Sequence, residues 1–463
     1  MDNYLKQLMH ASAVACLMVM PGCSPKKVRP DKEVCCIKKN VDDALQQNVF
    51  WKSSCETENV SADDIQSAGL TREQAVGLAL RNSTTLQAKF RDLGIARADL
   101  EKAGLYKNPY LTTIIQSPNP NPFHVNKYVE VDITLSLSDL WLVPRRKKIS
   151  DDQLEITTFD IMETIFEIRT NTIGAYNKYA FATLQADHAR EVLERVKNLY
   201  ENAEELKSDE NFHDSQAAFV LINQMEIAVA NAAFERKKAL LEFADALGVS
   251  LHEQSFALHD QLGTVDLSAS AYEMAQDNPK LIKACLKIQQ EKHKKSLEKA
   301  RYLEDVSVGV SYNSQPAKDV QIPGTTLGNI IAGPRLIGPI ISMSIPIFDN
   351  KYADIARADF LIEKAESEYA TVRDALTLKI ALCKAEIEAT TVVIEHYQKV
   401  LKSYEQSIEH ESADPEATYA KKVKHLNTHI SWFDKKNALF KSYLQLHNAI
   451  ATLEQTVGKK IIS

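Results

Sequence analysis

Six carboxylates fall in two tight groups, Asp209, Glu210 and Asp214 in the first half of the chain and Glu411, Asp414 and Glu416 in the second. Carboxylates gathered so closely repel one another and attract cations. They also serve as helix caps, and Asp414 followed by Pro415 has the form of an N-cap with proline at the first helical position. The cysteines offer less chemistry. No zinc-like spacing joins any of the seven, since the adjacent pair Cys35 and Cys36 has no companions at the usual intervals. Cys35, Cys36 and Cys55 lie in one polar stretch where an oxidising compartment would allow a disulfide, and Cys285 and Cys383 stand in helical patterns as small buried residues. The histidines His188, His213, His396 and His429 fall in helical contexts that favour structural roles. There is no nucleophile elbow, phosphate loop or zinc-protease pattern, so neither an enzyme, a cofactor nor a metal site is expected.

The start of the chain has the layout of an export signal. Lys6 precedes an apolar run from Ala11 to Met20, and Pro21, Gly22 and Cys23 follow. That run is too short to span a membrane as a helix. A cysteine directly after the small residue at the processing point marks Cys23 as the candidate for lipid attachment, with a simple secretory signal or an uncleaved helix as the alternatives. Residues 1–22 are then the signal, and residues 23–67, polar and irregular, an extended tether or an outer wrap.

The remaining chain repeats one order of elements twice, a short helix, a strand pair and a long helical hairpin, over 68–250 and again over 251–463. From Tyr128 to Ser138, Val129, Val131, Ile133, Leu135 and Leu137 alternate with Tyr128, Glu130, Asp132, Thr134, Ser136 and Ser138. Strict period-two alternation predicts a strand over about 127–138 with one polar and one apolar face. The apolar face suits either a soluble core or lipid opposite a watery lumen. A less regular partner is expected at about 108–117, and the second copy offers strands at about 304–313 and 338–346, where Val306, Val308 and Val310 and then Ile341, Met343 and Ile345 alternate with small polar residues. Four strands cannot close around a lumen, so if they span a membrane the chain must oligomerise.

The helical pattern is too long for a compact globule. Between Arg145 and Lys207 there is no proline, and apolar residues from Leu154 to Leu199 recur mostly at spacings of three and four. At 1.5 Å per residue the stretch reaches roughly 90 Å. The second copy repeats it from about Lys351 to His410. Such helices need partners along their length, which the arms Asp214–Leu247 and Pro415–Val457 supply after hairpin turns at about 208–213 and 411–415. A formal net charge of −7 provides no basic surface for nucleic acid. The local run Arg145-Arg146-Lys147-Lys148, just past a predicted strand, is either a solvated face or a contact for anionic headgroups at a membrane boundary.

The stretch from Leu70 to Ser83, with Leu86, Ala98, Leu100, Ala103 and Pro109 after it, resembles the leading helix of the TolC-like outer-membrane efflux proteins, and Ala275, Asn278, Pro279, Leu281, Leu297 and Ala300 resemble the same element in the second repeat. Gly338 to Asn350 is similar to that family's strand ending in a proline-bearing turn, and Ala244, Leu247 and Gly248 resemble the close of its first hairpin. The resemblance covers nearly everything after Leu70. It implies a mostly α protein with a small β part, in which duplicated helical hairpins form a trimeric periplasmic tube and four strands per chain join a shared twelve-stranded transmembrane barrel. The strand residues Val129, Val131, Ile133, Leu135 and Leu137 would then face outer-membrane lipid. It implies a homotrimer working with a periplasmic adaptor and an inner-membrane pump, a passive conduit for efflux or type I secretion. Asp209, Glu210, Asp214, Glu411, Asp414 and Glu416 would form carboxylate rings at the aperture or face the adaptor. The turns themselves, Ser208-Asp209-Glu210-Asn211-Phe212 and Ser412-Ala413-Asp414-Pro415, lack the glycine common in that family.

A periplasmic coiled-coil adaptor or structural lipoprotein is the alternative. Adaptors carry long hairpins too, but usually one set between sheet-rich domains, and the duplicated order here argues against that arrangement.

Overall fold

The computed structural model describes residues 28–45, 69–116, 128–204, 212–249, 256, 258, 267, 269–274, 278–314, 318–320, 329–331, 335–412 and 419–461. Eight α-helices and six strands are described. They are α1 (Asp31–Leu45), α2 (Arg72–Asn82), α3 (Thr84–Ala103), β1 (Tyr110–Gln116), β2 (Tyr128–Ser136), α4 (Asp139–Glu204), α5 (Phe212–Leu247), α6 (Pro279–Ala300), β3 (Ser307–Ser314), β4 (Lys318–Val320), β5 (Asn329–Ile331), β6 (Arg335–Ser342), α7 (Tyr352–Ser412) and α8 (Tyr419–Val457).

The leading element begins with a capping box. Thr71 accepts from the Gln74 backbone N–H and the Gln74 side chain accepts from that of Thr71, which satisfies two donors a helix start leaves open. Ser83 caps α3 in turn by accepting from the Leu86 N–H. In the second repeat Asn278 caps α6 with Pro279 at the first helical position.

The long helices pack along their length as their periodicity requires. Ala189, Val192, Val196, Met225, Ile387, Ile394, Leu426, Phe433, Leu446 and Leu453 form one buried seam among α4, α5, α7 and α8. A second core sets Leu86, Phe90 and Leu93 of α3 against Leu154, Ile161 and Ile165 of α4. Tyr176, Tyr179, Phe243 and Phe256 build a third, with the Tyr179 and Phe243 rings stacked at 5.8 Å.

The second core holds a correction. Part of the stretch expected as an irregular tether or outer wrap is helical: α1 buries Val34, Ile37, Val41 and Leu45 against α2, α3 and α4. Spacings of three, four and four between charged residues put these four on one face. Glu33 pairs with Arg97 at 3.1 Å and the Ala44 carbonyl accepts from the Lys460 N–H at 3.1 Å, so α1 is tied to α3 of the first repeat and to the segment that follows α8 in the second. Cys35 and Cys36 are both exposed free thiols on this helix. Cys383 is buried as expected, whereas Cys285 is exposed.

The four predicted strands form one antiparallel sheet in the order β1-β2-β3-β6. The last of them runs three residues earlier than its expected start at 338. The connection between β3 and β6 contains the short antiparallel pair β4 and β5. The first long helix starts at Asp139, six residues before Arg145, and carries Pro144 within it.

Candidate functional site

Two features qualify as functional: the four-stranded sheet and the helix ends of α4, α5, α7 and α8 that flank the two hairpin turns. The sheet register places Leu111, Ile133, Val310 and Pro339 in one row across the four strands, with Leu135, Val308 and Ile341 in the next. Val131, Tyr312 and Ile337 share that face, because successive residues of a strand point to opposite sides. None of the described residues covers it. Leu111 is 58% exposed, Leu135 50%, Val310 55% and Ile341 73%. An apolar face this continuous and this open marks an interaction with lipid or another apolar phase.

The opposite face carries Thr112, Asp132, Ser311 and Gly338 in one row and Ile114, Glu130, Asn313 and Leu336 in the next. Polar groups here bond among themselves. The Tyr128 hydroxyl donates to Glu130 at 2.9 Å and accepts from the Asn313 amide at 2.6 Å. Gly309 stands opposite Thr134, and a Cβ there would overlap the Ile133 carbonyl and come within 2.8 Å of Thr134 Cγ2. Only glycine permits this closeness of β2 and β3.

Among the described residues the outer strands β1 and β6 have partners on one side only. Their free edges present unpaired backbone groups. Where β2 passes into α4, Leu137 and Ser138 donate to the Val306 carbonyl, and the fully buried Asp139 accepts from the Lys107 N–H at 2.6 Å and from Arg146 at 3.2 Å. This carboxylate locks the sheet to the helices, and its burial was not readable from the run Ser138 to Pro144.

Of the six turn carboxylates, Asp214 lies in the first turn of α5 and Glu411 in the last turn of α7. An acid at a helix start complements the macrodipole, and one at a helix end opposes it. Asp209, Glu210, Asp414 and Glu416 lie outside the described residues, as does Cys23. The five expected lipid-facing residues all lie on the apolar side: Val129, Val131, Ile133 and Leu135 within β2, and Leu137 just beyond it, 37% exposed.

Helical hairpins in duplicate, joined to a four-stranded sheet whose apolar face and edges are open, recur in solved structures. CusC, described in terms of transmembrane channel formation, superposes with a TM-score of 0.66 at 14% identity, covering 90% of this chain and 100% of that one. The chain has the TolC-like outer-membrane channel fold. The CmeC outer membrane channel of Campylobacter jejuni shares this TolC-like fold with a TM-score of 0.62 at 15% identity, over 90% of this chain and 95% of that one. The MtrE outer membrane channel of Neisseria gonorrhoeae does so with a TM-score of 0.61 at 15% identity, over 84% and 88%. No family model and no curated protein matches the sequence. The TolC-like fold is therefore established by three-dimensional shape, not by sequence similarity.

Proposed function

We propose that the protein is the outer-membrane channel of a tripartite efflux or type I secretion system, a trimer that conducts substrate passively and catalyses nothing. The observation that carries this reading is the uncovered apolar face of a sheet with two open edges. In lipid that face is stable, but the edges of β1 and β6 are not, because each unpaired backbone group in hydrocarbon is costly. Three copies joined edge to edge give a closed barrel of twelve strands with Glu130, Asp132, Ser311 and Asn313 towards water.

The helices support assembly as well. On α5, Val220, Ile227, Phe234 and Leu241 recur every seven residues and all are exposed. On α7, Leu378, Leu382, Val392 and Val400 make a second exposed apolar stripe. The seven-residue stripe of α5 is the seam of a coiled-coil contact, and among the described residues neither stripe is covered. The lipid anchor at Cys23, the adaptor docking beside the hairpin turns and the inner-membrane pump belong to this proposal. So does an aperture ringed by Asp209, Glu210, Asp214, Glu411, Asp414 and Glu416.

Single-channel conductance in a planar bilayer, with native mass in detergent, tests it. A trimer with discrete conductance that rises when Asp209, Glu210, Asp414 and Glu416 are replaced by alanine supports the channel and its gate. Conductance indifferent to those changes removes the gate assignment and keeps the channel. A folded, membrane-bound chain that never conducts turns the reading to a coiled-coil adaptor or structural lipoprotein.

A further inference from the structure

The groove between α4 and α6 contains two cavities on the same side of the helical layer. One, of about 420 Å³, is lined by Phe159, Met162 and Phe166 of α4, Ile282 of α6, and Asn40 and Asp43 of α1. The other, of about 300 Å³, lies nearer the sheet and is lined by Pro144, Arg145, Lys148, His293 and Ser296. Arg145 and Lys148 precede Phe159 and Met162 by two heptads, and Ser296 follows Ile282 by two heptads. Residues two heptads apart on packed helices share a face. The cavity near the sheet therefore opens on the side along which α1 lies.

Its lining is cationic and short of counter-ions. Arg145 donates to the Trp141 carbonyl at 2.6 Å and to the Ser296 hydroxyl at 3.4 Å. Lys148 has no carboxylate partner among the described residues. Asp152, one helical turn beyond Lys148, is buried and already engaged by His293 at 2.5 Å and Gln289 at 2.8 Å. Arg145 and Lys148 stand roughly 9 and 14 Å along α4 from its start at the base of the sheet. An exposed collar of Tyr106, Leu140, Tyr302 and Phe348 lies at the junctions between. An apolar sheet face, an aromatic and aliphatic collar and then free cations in a cleft follow the order of hydrocarbon, interface and headgroup across a leaflet.

We infer that the cleft of Arg145, Lys148 and Ser296 binds the phosphodiester headgroup of an anionic phospholipid in the leaflet facing the periplasm. The guanidinium and ammonium neutralise the phosphate, and the serine hydroxyl donates a third hydrogen bond. The inference rests on the reading that the sheet lies in the membrane.

The full-length protein, purified in mixed micelles of phosphatidylglycerol and phosphatidylcholine, tests it by native mass spectrometry of the retained lipid. Preferential retention of phosphatidylglycerol is expected, falling by about fivefold for each cation removed in Arg145→Gln and Lys148→Gln. The single Lys148→Gln variant touches only the cleft, and its native helicity and trimer mass confirm that it folds. Retention of both lipids alike, or a preference unchanged in Lys148→Gln, overturns the proposal. Displacement of the lipid by excess inorganic phosphate makes the cleft a site for free anions and overturns the lipid assignment. A protein that fails to conduct but keeps the charge-dependent preference refutes the channel and leaves the lipid site standing.

Discussion

The side-chain amide of Asn82 donates to the carbonyl of Leu247 at 3.1 Å, and 196 positions later Asn278 does the same to Thr456 at 2.9 Å. In each repeat the asparagine of the leading helix closes the end of the returning arm. Each contact is followed by a glycine in the left-handed region, Gly248 at φ 65° and Gly458 at φ 86°. A Cβ on Gly248 would stand 3.0 Å from Asn82 Cβ. Gly248→Ala combines that crowding with a backbone penalty of about 1–2 kcal/mol. Asn82→Ala leaves a buried carbonyl without a donor and is expected to destabilise by about 1–3 kcal/mol. Thermal unfolding followed by far-UV circular dichroism measures both, and variants as stable as the wild type would show that the arm ends are held by other contacts.

Arg169 ties three helices together. Its buried guanidinium reaches Glu73 of α2 and Glu454 of α8, each at 3.0 Å, while Lys460 adds a second cation to Glu73 at 3.0 Å. Burial pushes the Glu73 carboxyl up, but Arg169 and Lys460 outweigh it and hold the group below its ordinary value. Removing Glu454 leaves the two cations Arg169 and Lys460 sharing the single carboxylate of Glu73. Glu454→Leu is expected to lose about 3–5 kcal/mol, with much of that recovered in the double variant Arg169→Met, Glu454→Leu. A double-mutant cycle in chemical denaturation that shows strict additivity would contradict the coupling.

Gly309 governs the sheet alone. Gly309→Val forces a side chain into the Ile133 carbonyl, so β2 and β3 cannot pair at their register. The long helices do not depend on that pairing. The expected phenotype is near-native helicity with loss of the heat-sensitive trimer on unheated gels, and a variant that still inserts as a trimer would refute it.

Acid is expected to weaken the helical bundle through His188. Its ring is sealed between Trp432 at 4.8 Å and Phe433 at 5.4 Å, and neither nitrogen has a hydrogen-bond partner in the bundle. Burial, with Lys436 and Arg195 nearby, lowers its pKa from 6.5 to about 3, and burial with His425 and Arg195 nearby lowers that of His429 to about 4. Both rings are neutral in the fold and protonate more readily when unfolded. Their contribution is complete above pH 6.5 and is lost as pH falls from there towards 3–4. His188→Phe should flatten the dependence of the melting temperature on pH between 7 and 5, and an unchanged slope would assign it to other groups.

The periodic parts of this protein were legible in the order of its residues. Alternation at period two exposed the strand with Val129, Val131, Ile133 and Leu135, and spacing at three and four exposed the helices of both repeats, because each pattern is imposed locally by backbone geometry. The helix α1 carried the same signal in Val34, Ile37, Val41 and Leu45, but over only four turns within a charged stretch it was submerged. The tertiary structure alone decided what depends on distant residues. Gly309 is indispensable only because the Ile133 carbonyl approaches it, Asp139 is buried only because Lys107 and Arg146 converge on it, and Arg169 is paired only where α2, α4 and α8 meet. The open edges of β1 and β6 are also a property of strand order, which joins the two repeats at β2 and β3. Periodicity reports how a segment divides its faces, and only the assembled chain settles what each face meets.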